Sequence, residues 1–175
     1  RLVPGGDGVE VGVGTGRFAA PLGIQVGLDP SERMLRRAVG RGIEGVVGVG
    51  EALPFRAGAV DAVLLVTTVC FVDDLDRTFR EARRVLRPGG RLVLGYIDRE
   101  SPVGRRYQER KEESPFSRDA TFVSTDELVA ALKAAGFSEF EFVQTVFQWP
   151  GEIDAPEPVE EGYGDGSFVG VSASP

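Results

Sequence analysis

The chain has no histidine among its 175 residues and a single cysteine, Cys70. The missing histidine excludes Ser-His-Asp and Cys-His catalysis and removes the commonest metal ligand. One cysteine cannot form an intrachain disulfide or a cysteine-based zinc site, which suits a cytoplasmic protein. Any proton transfer must therefore use Asp, Glu, Tyr, Lys, Cys or water.

Long apolar runs and an excess of positive charge are also missing. No stretch approaches the roughly 18 apolar residues that cross a bilayer, and no signal segment opens the chain. The net charge of −7, from 20 basic and 27 acidic side chains, argues against nucleic acid as a partner, since phosphate contacts need a basic surface. We expect a cytoplasmic protein that binds neither membrane nor nucleic acid.

The chain does contain short apolar runs that alternate with helical patterns over its first two thirds. Such runs, punctuated by glycine, predict buried parallel strands. They cover residues 9–13, 24–28, 46–49, 60–66 and 92–97. Two later runs, 137–149 and 167–172, predict an antiparallel pair at the sheet edge. With no linker in view, the pattern indicates one α/β domain over residues 1–175.

Helix ends are readable between these strands. Ser31 is a cap for one helix, and Asp73 or Asp74 is a cap for the next. The sequence Ser124-Thr125-Asp126-Glu127 is a capping box for a third helix, which Gly136 ends. Alternating strands and helices of this kind are typical of a sheet covered by helices on both faces.

The first strand runs into a glycine-rich turn, Glu10-Val11-Gly12-Val13-Gly14-Thr15-Gly16. A strand, a glycine turn and a helix hold a polar cofactor against bare backbone, although a plain tight turn has the same glycines. Position 17 is Arg, so the third glycine of a pyrophosphate-binding turn is absent. The acid before the first glycine favours a ligand that carries positive charge.

Asp29 and Met34 follow the second predicted strand. Asp29, at the carboxyl end of that strand, is placed to accept hydrogen bonds from both hydroxyls of a ribose, or simply to cap the next helix. Met34, one turn into that helix, would either cover an adenine face or pack in the core. Both alternatives stay open on the sequence alone.

Taken together, five segments resemble the class I S-adenosylmethionine (SAM)-dependent methyltransferases, in the broad group of small stand-alone enzymes. They occur in that family's order and spacing, which makes the set far more specific than any one motif. The segments are VEVGVGTGRFA at 9–19, LDPSERML at 28–35, GEALPF at 50–55, DAVLLVTTVCFVDDLDRTFREARRVLRPGGRLVLGYID at 61–98 and STDELVAALKAAGF at 124–137.

The resemblance implies a Rossmann-like three-layer sandwich. Its mostly parallel sheet has seven strands in the order 3-2-1-4-5-7-6, with the last strand antiparallel. It also implies SAM as the cofactor and S-adenosylhomocysteine (SAH) as the product. The implied cofactor contacts are Glu10, Gly12, Gly14 and Gly16 around the methionine moiety, Asp29 at the ribose, Met34, Gly50, Glu51 and Ala52 at the adenine, and Thr67 beside the methyl group, with Thr68 and Phe71 following into the pocket.

The chain departs from the family pattern at two places. Val49 stands where many relatives carry an acid that contacts the adenine amino group. The N-terminal helix that usually covers the site has almost no room before residue 9, and the chain begins at Arg1 rather than Met, so we expect that helix to be missing. The charged segment 99–122 resembles a lid in position, or is a solvated helix.

The resemblance implies methyl transfer to a small-molecule acceptor, with no metal. Because SAM is already activated, catalysis consists mainly of placement and exclusion of water. Tyr96 and Tyr107 are weak candidates for a polar group at the acceptor, and Arg105 and Arg106 would meet an anionic substrate. The alternatives are a non-catalytic SAM-binding protein of the same fold and, less favoured by the glycine spacing, a nicotinamide-dependent oxidoreductase.

Overall fold

The computed structural model describes residues 2–113 and 118–175, in which strands and helices alternate. The strands of these ranges are β1 (Gly8–Val11), β2 (Val26–Asp29), β3 (Glu44–Val47), β4 (Val60–Val66), β5 (Leu86–Ile97), β6 (Ser138–Thr145), β7 (Glu160–Glu161) and β8 (Phe168–Ser174). The helices are α1 (Ala19–Leu22), α2 (Glu32–Val39), α3 (Leu75–Val85), α4 (Pro102–Glu109) and α5 (Thr125–Ala134), with a 3₁₀ turn at Lys111–Glu113.

All eight strands form one sheet in the order β3-β2-β1-β4-β5-β8-β6-β7. Strands β1 to β5 run parallel to one another, whereas β8 is antiparallel to both β5 and β6. The implied seven-stranded Rossmann-like order is therefore confirmed, since the last long strand inserts between β5 and β6. The structure has an eighth strand beyond the seven expected, the two-residue β7, which pairs with β6 at the edge of the sheet.

Several strand limits differ from the predicted runs. Strand β1 ends at Val11 rather than at residue 13, because Gly12 turns the backbone to φ +70°. Strand β5 begins at Leu86, six residues before the predicted start, as the chain is already extended when it leaves α3. Strand β6 stops at Thr145, so Trp149 lies beyond it. Apolar periodicity locates strands well but marks their ends only approximately.

Helices cover both faces of the sheet and divide the core into two layers. On one face Phe79 of α3 and Leu128 of α5 pack against Val9, Val63 and Leu94 of the central strands. On the other face a separate cluster forms around α1 and α2, joining Ala19, Leu35 and Ala38 to Ala62, Leu64 and Val93. Because successive residues of a strand point to opposite faces, each central strand contributes to both layers.

The predicted helix caps are found. The side chains of Ser31 and Asp74 accept hydrogen bonds from backbone N–H groups of α2 and α3, and Ser124 with Glu127 forms the full capping box of α5. The longest helix of the described ranges, α3, has 11 residues, and none there is long and apolar enough to cross a membrane.

Candidate cofactor site

A cavity of about 590 Å³, here called the main cavity, opens at the carboxyl ends of β1, β2 and β4. Its position is the edge at which parallel α/β sheets bind ligands, next to the point where the strand order reverses. The residues that line it are Val11, Gly12, Gly14, Leu28, Asp29, Pro30, Ser31, Met34, Gly48, Val49, Gly50, Glu51, Thr67, Thr68, Phe71, Val72 and Asp73.

The floor of the main cavity is the glycine turn. Gly12 has φ +70°, and a Cβ atom added there would lie 2.4 Å from Cγ2 of Thr68, so the backbone and Thr68 are packed too closely for any side chain. The N–H groups of Gly12 and Val13 both donate to the carbonyl oxygen of Leu28, at 2.7 and 3.0 Å. The turn is therefore held against the end of β2.

Asp29 links the turn to α2. One carboxylate oxygen accepts a hydrogen bond from the N–H of Gly14 at 2.9 Å, and the other accepts from the N–H of Ser31 at 2.8 Å. Only 8% of the residue is exposed, and that part faces the main cavity. Since each carboxylate oxygen can accept two hydrogen bonds, both keep a site for hydroxyl groups of a ligand.

The opposite wall is tied together by Glu51. One oxygen of its carboxylate accepts hydrogen bonds from the N–H groups of Asp73 and Asp74, at 2.8 and 3.2 Å. Glu51 thus joins the segment after β3 to the start of α3, and both segments line the cavity. The Glu51 carboxylate therefore stabilises the wall of the cavity as well as lining it.

Three exposed apolar side chains stand at the mouth of the main cavity. Met34 is 36% exposed, Val49 45% and Phe71 43%, and all three line the cavity. The sequence allows Met34 to pack either in the core or at the ligand. In the structure it belongs to neither core layer and lies at the cavity. Together these side chains offer an apolar border to a flat ligand group.

Thr67, directly after β4, has an unusual backbone conformation. Its φ of +54° lies in the left-handed region, which costs a residue with a side chain roughly 1–2 kcal/mol. The N–H of Thr67 donates to the carbonyl oxygen of Gly95 at 2.7 Å, and its hydroxyl donates to that of Val66 at 2.7 Å. Such strain is characteristic of functional sites, and here it turns the chain along the wall of the main cavity.

Glu10 lies beneath the turn with its carboxyl group buried. The residue is 1% exposed, and neither carboxyl oxygen has a hydrogen-bond partner among the described residues. Burial raises the pKa of Glu10 to about 8, and the nearby backbone N–H of Ala19 opposes that rise without making a normal hydrogen bond. At neutral pH this carboxyl group therefore holds its proton.

This geometry has close counterparts in known proteins. Residues 9–94 match the family model described as "Methyltransferase domain". The crystal structure of a SAM-dependent methyltransferase of Thermotoga maritima, named as a possible histamine N-methyltransferase, superposes with a TM-score of 0.96. It is 50% identical, and the match covers 99% of this chain and 84% of that one. The chain belongs to the SAM-dependent methyltransferases.

Two curated relatives that match this methyltransferase chain over most of its length are uncharacterized proteins. An uncharacterized protein of Methanocaldococcus jannaschii is 43% identical over 173 residues, which are 99% of this chain and 84% of that protein. An uncharacterized protein of Mycobacterium tuberculosis is 42% identical over 171 residues, which are 94% of this chain. The chain spans only 59% of the mycobacterial protein's length.

Most of the implied cofactor contacts of the methyltransferase come together in the main cavity. Seven of them line it, namely Gly12, Gly14, Asp29, Met34, Gly50, Glu51 and Thr67. Glu10, Gly16 and Ala52 do not. Gly16, at φ +75°, packs against Ala38 of α2, where a Cβ atom would be 3.3 Å from that backbone. Ala52 borders a separate surface hollow beside α3.

Several wall residues are not among the predicted site residues. They include Val72 and also Asp73, which the sequence marks only as one of two possible helix caps. The cap of α3 is Asp74, so the first acid of the pair is left at the cavity. The doubled aspartate was the available signal, because only one of two adjacent residues can be the N-cap.

Tyr96 lies outside the main cavity. It is buried in the core, and its hydroxyl group is 2.7 Å from Oγ1 of Thr125. Burial raises the pKa of Tyr96 well above its usual value, so its phenol is no base at neutral pH. Tyr96 lines a crevice of about 10 Å³ between the ends of two strands, here called the β4–β5 crevice, together with Thr67, Val69, Cys70, Ile97, Phe122 and Val123.

The predicted lid segment, 99–122, is described except for residues 114–117, which lie outside the described ranges. Within it, α4 carries Arg105 and Arg106. Arg105 is 3.6 Å from the carboxylate of Glu100, and the guanidinium of Arg106 stacks 3.9 Å above the ring of Trp149. Neither arginine lines the main cavity. In the described ranges no group of acids and cysteine is arranged to hold a metal ion.

Proposed function

We propose that the chain binds SAM in the main cavity and transfers its methyl group to a small-molecule acceptor. The observation that carries the proposal is the position of Asp29, bound to the glycine turn and facing the cavity. The cavity volume of about 590 Å³ lies within the range of small-ligand sites, roughly 300–1,000 Å³. Cavity, turn and acid together fit a nucleoside that carries a charged side chain.

Each part of the wall has a task in this proposal. Bare backbone at Gly12 and Gly14 would hold the methionine moiety, and the Asp29 carboxylate would accept hydrogen bonds from the ribose hydroxyls. Met34 and Val49 would border the adenine with the backbone of Gly50. The buried Glu10 carboxyl lies beneath the turn, where a positively charged ligand would favour its ionised form.

The chain contributes placement rather than acid–base chemistry in this proposal. SAM, when bound, supplies a methyl group that is already activated by a sulfonium. Of the three carboxylates in the wall, those of Asp29 and Glu51 are engaged by backbone N–H groups, so neither of these two is arranged as a free base. The protein would hold the donor in one orientation and exclude water, which can supply most of the rate of such a displacement.

Calorimetry with SAH tests the binding half of the proposal. The chain should bind SAH, and Asp29→Asn should weaken binding about tenfold to a hundredfold, because a charge-assisted hydrogen bond contributes about 1.5–3 kcal/mol. The matched control is Asp61→Asn, since Asp61 bonds Asp7 and Arg87 outside the main cavity. An intact, folded chain that does not bind SAH would refute the proposal.

Methyl transfer is tested with labelled SAM and a panel of small acceptors that includes amines, phenols and carboxylic acids. The name of the Thermotoga maritima relative places histamine in that panel. Transfer to at least one acceptor is the expected result. Binding of SAH with no transfer to any of them would favour the alternative of a non-catalytic SAM-binding protein.

A further inference from the structure

The β4–β5 crevice adjoins the main cavity through Thr67, which lines both. An acceptor must reach the methyl group from a space that touches the donor site and excludes water. Another hollow that adjoins the main cavity, through Glu51, is an open surface lined by Arg77 and Arg80. Under the proposed function, on which this inference rests, the crevice is the better entrance for the acceptor.

The wall of the crevice is almost entirely apolar. Val69, Ile97 and Val123 supply hydrocarbon, and the Cys70 thiol already bonds the carbonyl oxygen of Thr67 at 3.6 Å. The hydroxyl of Tyr96 bonds Thr125. None of the crevice residues is charged. An ammonium or carboxylate group buried here would therefore lack a partner, which costs several kcal/mol.

An aromatic stack closes the crevice. Phe122, 6% exposed, is stacked on Tyr107 with ring centres 5.9 Å apart, and Tyr107 meets the edge of Trp149 at 5.8 Å. The N–H of Thr121 donates to the carbonyl oxygen of Cys70 at 2.8 Å and holds this cover down. The remaining space of about 10 Å³ holds at most a single water molecule, so a ligand must displace a lining side chain, and Phe122 is the one that belongs to the aromatic cover.

We propose that the acceptor is an uncharged aromatic ring bearing the nucleophilic oxygen or nitrogen, and that it enters the β4–β5 crevice by displacing Phe122. A ligand ring that replaces the Phe122 ring restores the stacking and apolar contacts that the displacement breaks. The nucleophile's lone pair forms the new bond to the methyl carbon, and the carbon–sulfur bond breaks with its electron pair left on sulfur. The proton of the acceptor passes to water.

The chain carries two built-in reporters of this crevice. Cys70 is its only cysteine and Trp149 its only tryptophan. Burial raises the pKa of the Cys70 thiol to about 11, so a thiol reagent reacts slowly until the cover opens. Trp149 fluorescence responds to any change in the ring that packs against it.

The experiment measures modification of Cys70 by methyl methanethiosulfonate in the full chain saturated with SAH. Phenol, benzylamine and benzoate are compared because they share one ring and differ in charge. At about ten times its Kd, read from Trp149 fluorescence, phenol should slow modification about tenfold, since only the free fraction reacts. Benzylamine and benzoate should not protect. Modification that phenol leaves unchanged or accelerates would overturn the proposal, as would equal protection by all three.

A matched pair of variants locates the binding. Val123→Phe fills the crevice and should abolish protection by phenol, whereas Val39→Phe places the same ring on the exposed face of α2 and should change nothing. If Val123→Phe does not fold, Val123→Ile should show a smaller loss in the same direction. Protection that survives in a folded Val123→Phe chain places phenol elsewhere and contradicts the inference.

Calorimetry with SAH separates the two proposals. Both Val123 variants should bind SAH within about twofold of the original chain, because residue 123 does not line the main cavity. A chain that fails to bind SAH refutes the proposed function. A chain that binds SAH, but whose Cys70 is not protected by phenol, overturns the aromatic acceptor and leaves the donor site standing.

Discussion

Two buried carboxyl groups, one in each half of the sheet, have opposite surroundings. Glu10 of β1 has no hydrogen-bond partner for either oxygen within the described ranges. Asp98, which follows β5, accepts hydrogen bonds from the N–H of Glu100 at 2.6 Å and of Thr125 at 2.8 Å, and a short one from the Thr125 hydroxyl. Burial of the Glu10 carboxyl therefore costs little only while that carboxyl is protonated. The Asp98 carboxylate, in contrast, is held in place by its hydrogen bonds.

The difference extends to the cavities of the two halves. Beside Glu10, the main cavity is open and has a floor of backbone groups held by hydrogen bonds. Beyond β4, the β4–β5 crevice is closed by the side chains of Phe122 and Tyr107. A site made of backbone suits one constant ligand, while a site covered by side chains can change with its substrate.

The largest expected effect concerns Glu10→Gln. The pKa of Glu10 is about 8 in the folded chain and 4.5 as a reference, so the folded state holds a proton that the unfolded state releases between these values. On this account stability is greatest below about pH 4.5 and falls as pH rises from there through 8, by up to about 5 kcal/mol. Urea denaturation from pH 5 to 9 should show that the free energy of unfolding of Glu10→Gln rises relative to that of the original chain as pH rises. Parallel stability curves would mean that Glu10 has a partner after all.

Gly12→Ala should have the next largest effect. The new Cβ would lie 2.4 Å from Cγ2 of Thr68 at a φ of +70°, and strain with overlap should cost about 3 kcal/mol of folding free energy, with loss of SAH binding. Urea denaturation and calorimetry measure both. Gly14→Ala is the control, since its φ is +53° but nothing lies within 4 Å of the added Cβ, so only about 1 kcal/mol is expected. If both variants lost the same folding free energy, the contact between the added Cβ and Thr68 would be unimportant.

Asp98→Asn tests the opposite half of the comparison. The amide keeps one accepting oxygen of the two, so one of the bonds from Glu100 and Thr125 loses its acceptor, at a cost of about 2 kcal/mol. SAH affinity should not change, because Asp98 does not line the main cavity. Urea denaturation and calorimetry on the same sample give both numbers. A loss of SAH affinity without a loss of stability would contradict the division into two halves.

The smallest effect is expected for Tyr96→Phe. Removing the hydroxyl breaks one buried hydrogen bond to Thr125, which costs about 1 kcal/mol, while Thr125 keeps its bond to Asp98. Once an acceptor is found, the pH dependence of the transfer rate should be the same in both chains. A changed pH profile would give Tyr96 the proton-transfer role that its packing against α5 argues against.

Much of the wall of the main cavity could be predicted from the sequence because its parts lie at the carboxyl ends of parallel strands. Gly12 and Gly14 follow β1, Asp29 ends the neighbouring parallel strand β2, and the carboxyl ends of such strands meet at one edge. Thr67 follows β4, which pairs with β1 in the same sheet. Local turns and strand ends are visible in the residue pattern, so these positions could be named.

The β4–β5 crevice could not be predicted in the same way. Tyr107, Phe122 and Trp149 lie outside the strands and share no periodic pattern, yet they form one stack. The lack of a described hydrogen-bond partner for Glu10 could not be predicted either, since a strand pattern does not show which donors surround a side chain. Both depend on how non-adjacent elements pack, which the hydrophobic pattern leaves open.

By itself, the amino-acid sequence determined the alternation of strands and helices, the glycine turn with its acid, and the kind of cofactor that such a turn suits. Those features follow from backbone geometry, which residue types control locally. Only the tertiary structure decided that Glu10 is buried with no hydrogen-bond partner among the described residues, that Met34 borders the main cavity, and that Phe122 closes the β4–β5 crevice. These outcomes depend on solvent exclusion and side-chain packing between distant segments, and neither exists before the chain has folded.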